Sequence, residues 1–95
     1  MEYGGVIMTE NSITIRFAIL LGLLEGREPM PKDVGMAVSP EEFNAEVQRM
    51  EHEGIIGNVK YARGTRDEVL VVFLKEAVVT PRGNAYIDEL MKRYS

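Results

Sequence analysis

The sequence predicts one small α+β domain, and three local signals carry that reading. A capped helix runs from Pro40 to Glu53, two β-rich runs meet at a polar turn, and a proline-started helix closes the chain. The 95 residues suffice for one hydrophobic core and are too few for two.

Residues 1–11 read as a flexible leader broken by Gly4-Gly5, with residues 12–95 as the domain. Met8 is an alternative translation start; this is a hypothesis, and it falls if the Gly4-Gly5 codons cannot spell a ribosome-binding sequence. Ser12 is placed to cap a helix that runs to Glu25 and stops at Gly26. Ile13, Ile15, Phe17, Ala18, Ile19, Leu20, Leu21, Leu23 and Leu24 cover nearly every direction of that helix. A helix apolar all round is buried on more than one side. It is therefore either the central core helix of a monomer or a helix shared with a second copy through Leu20, Leu21, Gly22 and Leu24. The apolar run spans only roughly 18 Å, too short for a bilayer core. It also contains Arg16, and no basic residue precedes it as in a signal peptide. Without cysteine the chain has no disulfide, thiolate metal site or thiol nucleophile. A cytoplasmic protein is expected.

Pro29, Pro31 and Gly35 leave room for one helical turn at Lys32–Val34. Ser39-Pro40-Glu41-Glu42 then forms a capping box, with a hydroxyl at the N-cap, proline at N1 and glutamate at N3. Val38 and Phe43 take the staple positions across the cap. Phe43, Val47 and Met50 form the inward stripe, and Gly54 ends the helix. Ile55–Ala62 and Val69–Leu74 read as strands of a hairpin turning at Arg63–Glu68. The second strand is continuously apolar, so it is expected to be covered on both faces for part of its length. Thr80-Pro81 starts the last helix, which turns Tyr86, Ile87, Leu90, Met91 and Tyr94 inward.

This order of elements is that of a winged helix-turn-helix domain, in which the helix before the hairpin usually faces a ligand and the hairpin is the wing. Six stretches add to the reading. They are Phe17-Ala18-Ile19-Leu20, Leu24-Glu25-Gly26, Asp33-Val34-Gly35, Pro40-Glu41-Glu42-Phe43, Glu53-Gly54-Ile55-Ile56-Gly57 and Val79-Thr80-Pro81-Arg82-Gly83-Asn84-Ala85-Tyr86. In these, from residue 13 to about residue 90, the chain resembles the YjcQ-like family, small winged-helix proteins of bacteria and their phages. The resemblance implies a winged-helix fold and a DNA-binding or phage-related regulatory role, with no catalytic chemistry to carry over. Leu21-Gly22-Leu23 departs from the resemblance, since a more charged helix surface is usual there. That departure points to self-association as a homodimer.

The charge distribution separates the function classes. The net charge is −4, and the helix segment 40–54 accounts for it alone, with Glu41, Glu42, Glu46, Glu51 and Glu53 against Arg49. Non-specific nucleic-acid binding is disfavoured by that balance. An enzyme is not expected: His52 is the lone histidine, and Ser39 already serves as a cap. Metal and cofactor sites are not expected either. The carboxylates lie along a helix flank without a calcium-loop geometry, and Gly4-Gly5 matches no phosphate loop. Two classes remain. For DNA, the outward stripe Glu41, Asn44, Ala45, Gln48, Arg49 and His52 includes side-chain types that read base edges, and Lys60, Arg63 and Arg66 on the wing suit phosphates or a minor groove. The DNA set is thus Asn44, Gln48, Arg49, His52, Lys60, Arg63 and Arg66. For a protein-interaction module, Glu41, Glu42, Glu46 and Glu51 would face a basic partner protein, such as a host factor blocked by a phage-encoded inhibitor. The leading expectation is a DNA-binding transcriptional regulator, with the interaction module as the alternative.

Overall fold

The computed structural model describes residues 10–35 and 38–94, with side chains from residue 11 to residue 93. Helix α1 spans Glu10–Leu24, a single 3-10 turn follows at Pro31–Asp33, and helix α2 spans Pro40–His52. Strands β1 (Ile56–Gly57), β2 (Lys60–Arg63), β3 (Val69–Phe73) and β4 (Val78–Val79) come next, and helix α3 (Pro81–Tyr94) is the last described element. The domain is α+β: three helices and an antiparallel hairpin.

The leader expected at residues 1–11 lies outside the described residues up to Thr9, as does the alternative start at Met8. Glu10 and Asn11 are already helical. This overturns Ser12 as the cap of α1. Its side chain is buried within the helix and hydrogen-bonds Glu46, so a tertiary contact engages the hydroxyl that the sequence offers to the backbone. At their other ends α1 and α2 close identically. Gly26 and Gly54 are left-handed at φ +79°. Arg27 N–H then reaches Gly22 O at 2.9 Å, and Ile55 N–H reaches Met50 O at 3.0 Å, capturing carbonyls that the helix end leaves open.

The start of α2 follows its local sequence. Ser39 Oγ accepts from Glu42 N–H, and Glu42 Oε1 accepts from Ser39 N–H, both at 3.1 Å. Phe43, Val47 and Met50 are fully buried against Ile15, Ile19 and Leu20 of α1 and Ile55, Ile56 and Leu74 of the hairpin. Each such side chain contributes about 1.5–3 kcal/mol of burial.

The first expected strand breaks in two. Ile56 and Gly57 pair with Val79 and Val78 at the base of the hairpin, a ladder whose second strand the sequence did not signal. Asn58 is left-handed there, at φ 62°, and its side chain donates to Glu76 O at 3.0 Å, which holds the break. The outer ladder pairs Lys60 with Phe73, Tyr61 with Val72 and Ala62 with Val71. It turns through Thr65-Arg66-Asp67, closed by Gly64 N–H on Glu68 O at 2.8 Å with Asp67 left-handed.

Helix α3 is locked onto the hairpin base by its first residues. Thr80 Oγ1 accepts from Gly83 N–H at 2.9 Å and lies 2.9 Å from Ile55 O, to which it donates. A side chain at Gly83 would run into that same Ile55 carbonyl, so only glycine lets the helix sit so close. One turn later Tyr86 reaches Arg16 on α1. Among the described residues, no helix is long and apolar enough to cross a membrane.

Candidate interaction surface

Helix α2 has neighbours on two sides, α1 and the hairpin, and this decides which of its polar residues remain available. On the α1 side sits a buried charged cluster. Arg16 is 1% exposed and Glu46 is 0% exposed, yet both are charged groups. Arg16 Nε donates to Glu46 at 2.5 Å, and its two terminal nitrogens grip Glu53 at 2.8 and 2.9 Å. It also donates to Tyr86 Oη at 3.2 Å, and its guanidinium lies 5.4 Å from the centre of that ring. Glu46 accepts a further bond from Arg49 at 2.6 Å. Burial alone would push the Glu46 carboxyl up, but donors on Arg49, Arg16 and Ser12 outweigh it and hold the group below its ordinary range. Burial opposes the charge on Arg16 too. Its bonds to Glu53, Glu46 and Tyr86 raise its pKa nonetheless.

On the hairpin side, Asn44 is buried and donates to Leu70 O of β3 at 3.2 Å. Glu51 accepts from the Tyr61 hydroxyl of β2, whose proton is held more tightly through burial and that carboxylate. Both residue sets proposed from sequence are therefore divided. Of the base-reading set on α2, Gln48 and His52 are exposed, Asn44 points into the hairpin, and Arg49 is half-exposed but committed to Glu46. Of the acidic set, Glu41 and Glu42 are exposed. Glu46 is interior and Glu51 is bonded to Tyr61, so neither belongs to an open acidic face. Glu42 doubles as a cap, and the Ser39 amide helps keep its carboxyl below the ordinary range. The physical reason is common to all four: an apolar stripe marks one buried side of a helix, whereas α2 is covered on two.

The hairpin residues of the expected DNA-binding set are exposed but largely paired. Lys60 lies 3.5 Å from Glu76, and Arg63 donates to Asp67 O at 3.0 Å while lying 5.4 Å from the centre of the Tyr61 ring. Arg66 is exposed in the turn. The residues expected at a helix-mediated dimer contact also divide. Leu21 and Leu24 are half-exposed, whereas Leu20 belongs to the core of its own chain. Gly22 is covered by the chain's own Pro29, whose Cγ would stand 2.8 Å from an added Cβ. Close approach at this glycine thus serves the loop after α1.

The surface that the sequence did not signal is on β3. The register slips between Ala62 and Arg63, so Leu70 is an extra residue opposite the partner strand. Two successive residues, Leu70 and Val71, are then exposed together, at 56% and 45%. Phe73, two positions on, is 47% exposed. The expected coverage on both faces for part of the strand is therefore not met within one copy over Leu70–Phe73, whereas Leu74 at the end of the run is buried. Its inner face, Val72 with Tyr61, packs against the core, and the outer face holds large apolar side chains in solvent. A continuous apolar run gives no hint of which face is covered, and the bulge depends on cross-strand register. Among the described residues, no group of three or more His, Asp or Glu side chains is arranged to hold a metal ion. No family model matches the chain, and neither a curated protein nor a solved structure does so.

Proposed function

We propose that this domain is a winged helix acting as a protein-interaction module, and that its working surface is the outer face of its wing. The observation that carries the reading is the exposed Leu70, Val71 and Phe73 face, opened by the bulge in β3. Bulges re-aim side chains at sheet edges and functional sites. Apolar groups so placed suit a protein surface and add nothing to contacts with phosphates. The division of the α2 residues argues the same way, since Asn44 and Arg49 are engaged inside the molecule. The element order and the YjcQ-like resemblance over residues 13 to about 90 support the winged-helix assignment.

The test is a photo-crosslinking amino acid placed at Val71 in the living cell. The expected result is a discrete protein adduct that disappears with Leu70→Ser and Phe73→Lys and does not form from exposed Asp88. The opposite result would be no adduct at Val71, together with a salt-dependent DNA complex lost in Arg63→Ala/Arg66→Ala. That outcome would return the function to DNA binding through the wing.

A further inference from the structure

We infer that the surface docked by this face is a second copy of the same chain, packed face to face about a two-fold axis close to Val71. The inference rests on the protein-docking reading above and names its partner.

The edge of β3 argues for packing through the face. There Leu70 O is taken by Asn44, and Leu74 N–H at the strand's end is taken by Glu28 at 3.2 Å. The outer face, by contrast, leaves Val71 and Phe73 open. Because side chains alternate along strands, the pairs Lys60–Phe73 and Ala62–Val71 lie on one side of the hairpin. Phe73 stands near the hairpin base, Val71 in the middle, and Leu70 towards the turn. A two-fold axis at Val71 lays Phe73 of each copy over Leu70 of the other, an isologous contact that closes at two subunits.

The charges around the face are complementary under that operation. At the base, Glu28 and Lys75 border the same shallow cleft as Phe73. At the turn stand Arg66 and Glu68. Among the described residues, none of these four is in an ion pair within the molecule, whereas neighbouring Lys60 and Arg63 are paired. The rotation sets the base of one hairpin against the turn of the other, so Lys75 meets Glu68 and Glu28 meets Arg66, each contact made twice.

The area sets the strength. Three large apolar side chains about half-exposed offer roughly 300 Å² per copy, and the charged rim brings the contact to about 600 Å², below the usual 800 Å² per partner. The dimer is accordingly concentration-dependent rather than obligate.

Sedimentation equilibrium of the full chain from low micromolar to millimolar concentration tests the inference. The mass should rise from 10.7 kDa towards that of a dimer. Phe73→Lys should abolish the rise, and Glu68→Lys should weaken it about tenfold or more. Glu68→Lys combined with Lys75→Glu should restore association, because the exchanged charges face each other again. Circular dichroism melts of these surface variants report that the fold is intact. A monomeric mass at millimolar concentration, a charge exchange that fails to restore association, or loss with Leu21→Lys but not with Phe73→Lys would each overturn the inference. A monomer whose Val71 still crosslinks to a different protein defeats the second copy and leaves protein docking standing. A monomer with no adduct defeats both.

Discussion

The junction of the three helices and the outer face of the hairpin invert the usual distribution of polarity in opposite senses. At the junction, Arg16 and Glu46 are charged and almost completely buried. On the hairpin, Leu70, Val71 and Phe73 are apolar and about half-exposed. The two departures have different meanings. A buried ion pair is tolerated only with its hydrogen bonds filled, and the junction fills them with Glu53, Arg49, Tyr86 and Ser12. The filled bonds of Arg16 and Glu46 make it a structural feature, one that ties α1, α2 and α3 together, with Arg49 Nε as the buried donor left without a partner. The hairpin face has no covering element among the described residues, so its unmet apolar surface is the one that the proposed function assigns to a partner.

The comparison can be broken most forcefully at Arg16. Arg16→Met takes one of its two guanidinium partners from buried Glu46 and both donors from Glu53, and should cost about 3–5 kcal/mol in chemical denaturation. Adding Glu46→Leu should recover much of that loss, since an apolar pair replaces the ionic one and the half-exposed Arg49 can turn to water. A loss under about 1 kcal/mol for Arg16→Met would mean that the junction is not the structural tie described here. Gly83→Ala is next. It forces α3 off the Ile55 carbonyl and with it moves Tyr86 from Arg16, and a cost of about 1–3 kcal/mol should appear in the thermal transition.

Acid sharpens the contrast further. The folded-state pKa of Glu46 lies below its ordinary value of 4.5. Its contribution to stability is therefore complete above that value and is lost as pH falls through the folded pKa. Denaturation midpoints should fall below pH 4.5, and the fall should be shallower in Glu46→Gln, which is less stable at neutral pH. An equally steep acid limb in both proteins would remove Glu46 from the account. The smallest effect on stability belongs to the hairpin face. Leu70→Ser and Phe73→Lys should each stay within about 0.5 kcal/mol of the parent while abolishing the proposed docking. A large loss of stability there would show that these side chains serve the fold of the chain itself.

Much of this fold is legible in the residues, and the legible parts are local ones. Ser39, Pro40 and Glu42 are close in sequence, so their reciprocal bonds at the start of α2 follow from spacing alone. Gly26 and Gly54 mark both helix ends for the same reason. Thr80 and Pro81 signal a helix start, although the need for glycine at residue 83 appears only once Ile55 is beside it. The site was harder to read. Asn44, Arg49, Glu46 and Glu51 were assigned to open faces from the period of α2, but the period does not say how many neighbours a helix has. Arg16 inside an apolar run was the available hint that a carboxylate must meet it.

Sequence by itself determined the α+β class, the caps of α2 and α3, the stops of α1 and α2, the position of the hairpin and the core stripe Phe43, Val47 and Met50. These depend on hydrogen bonds within a few residues and on hydrophobic period, both encoded along the chain. Tertiary structure alone decided that Arg16 joins Glu46 and Glu53 in the interior, that Asn44 serves β3, and that Leu70 and Val71 face outwards together. Each of these turns on a contact between residues some thirty positions apart or on the register of two strands, and neither is written in the local pattern.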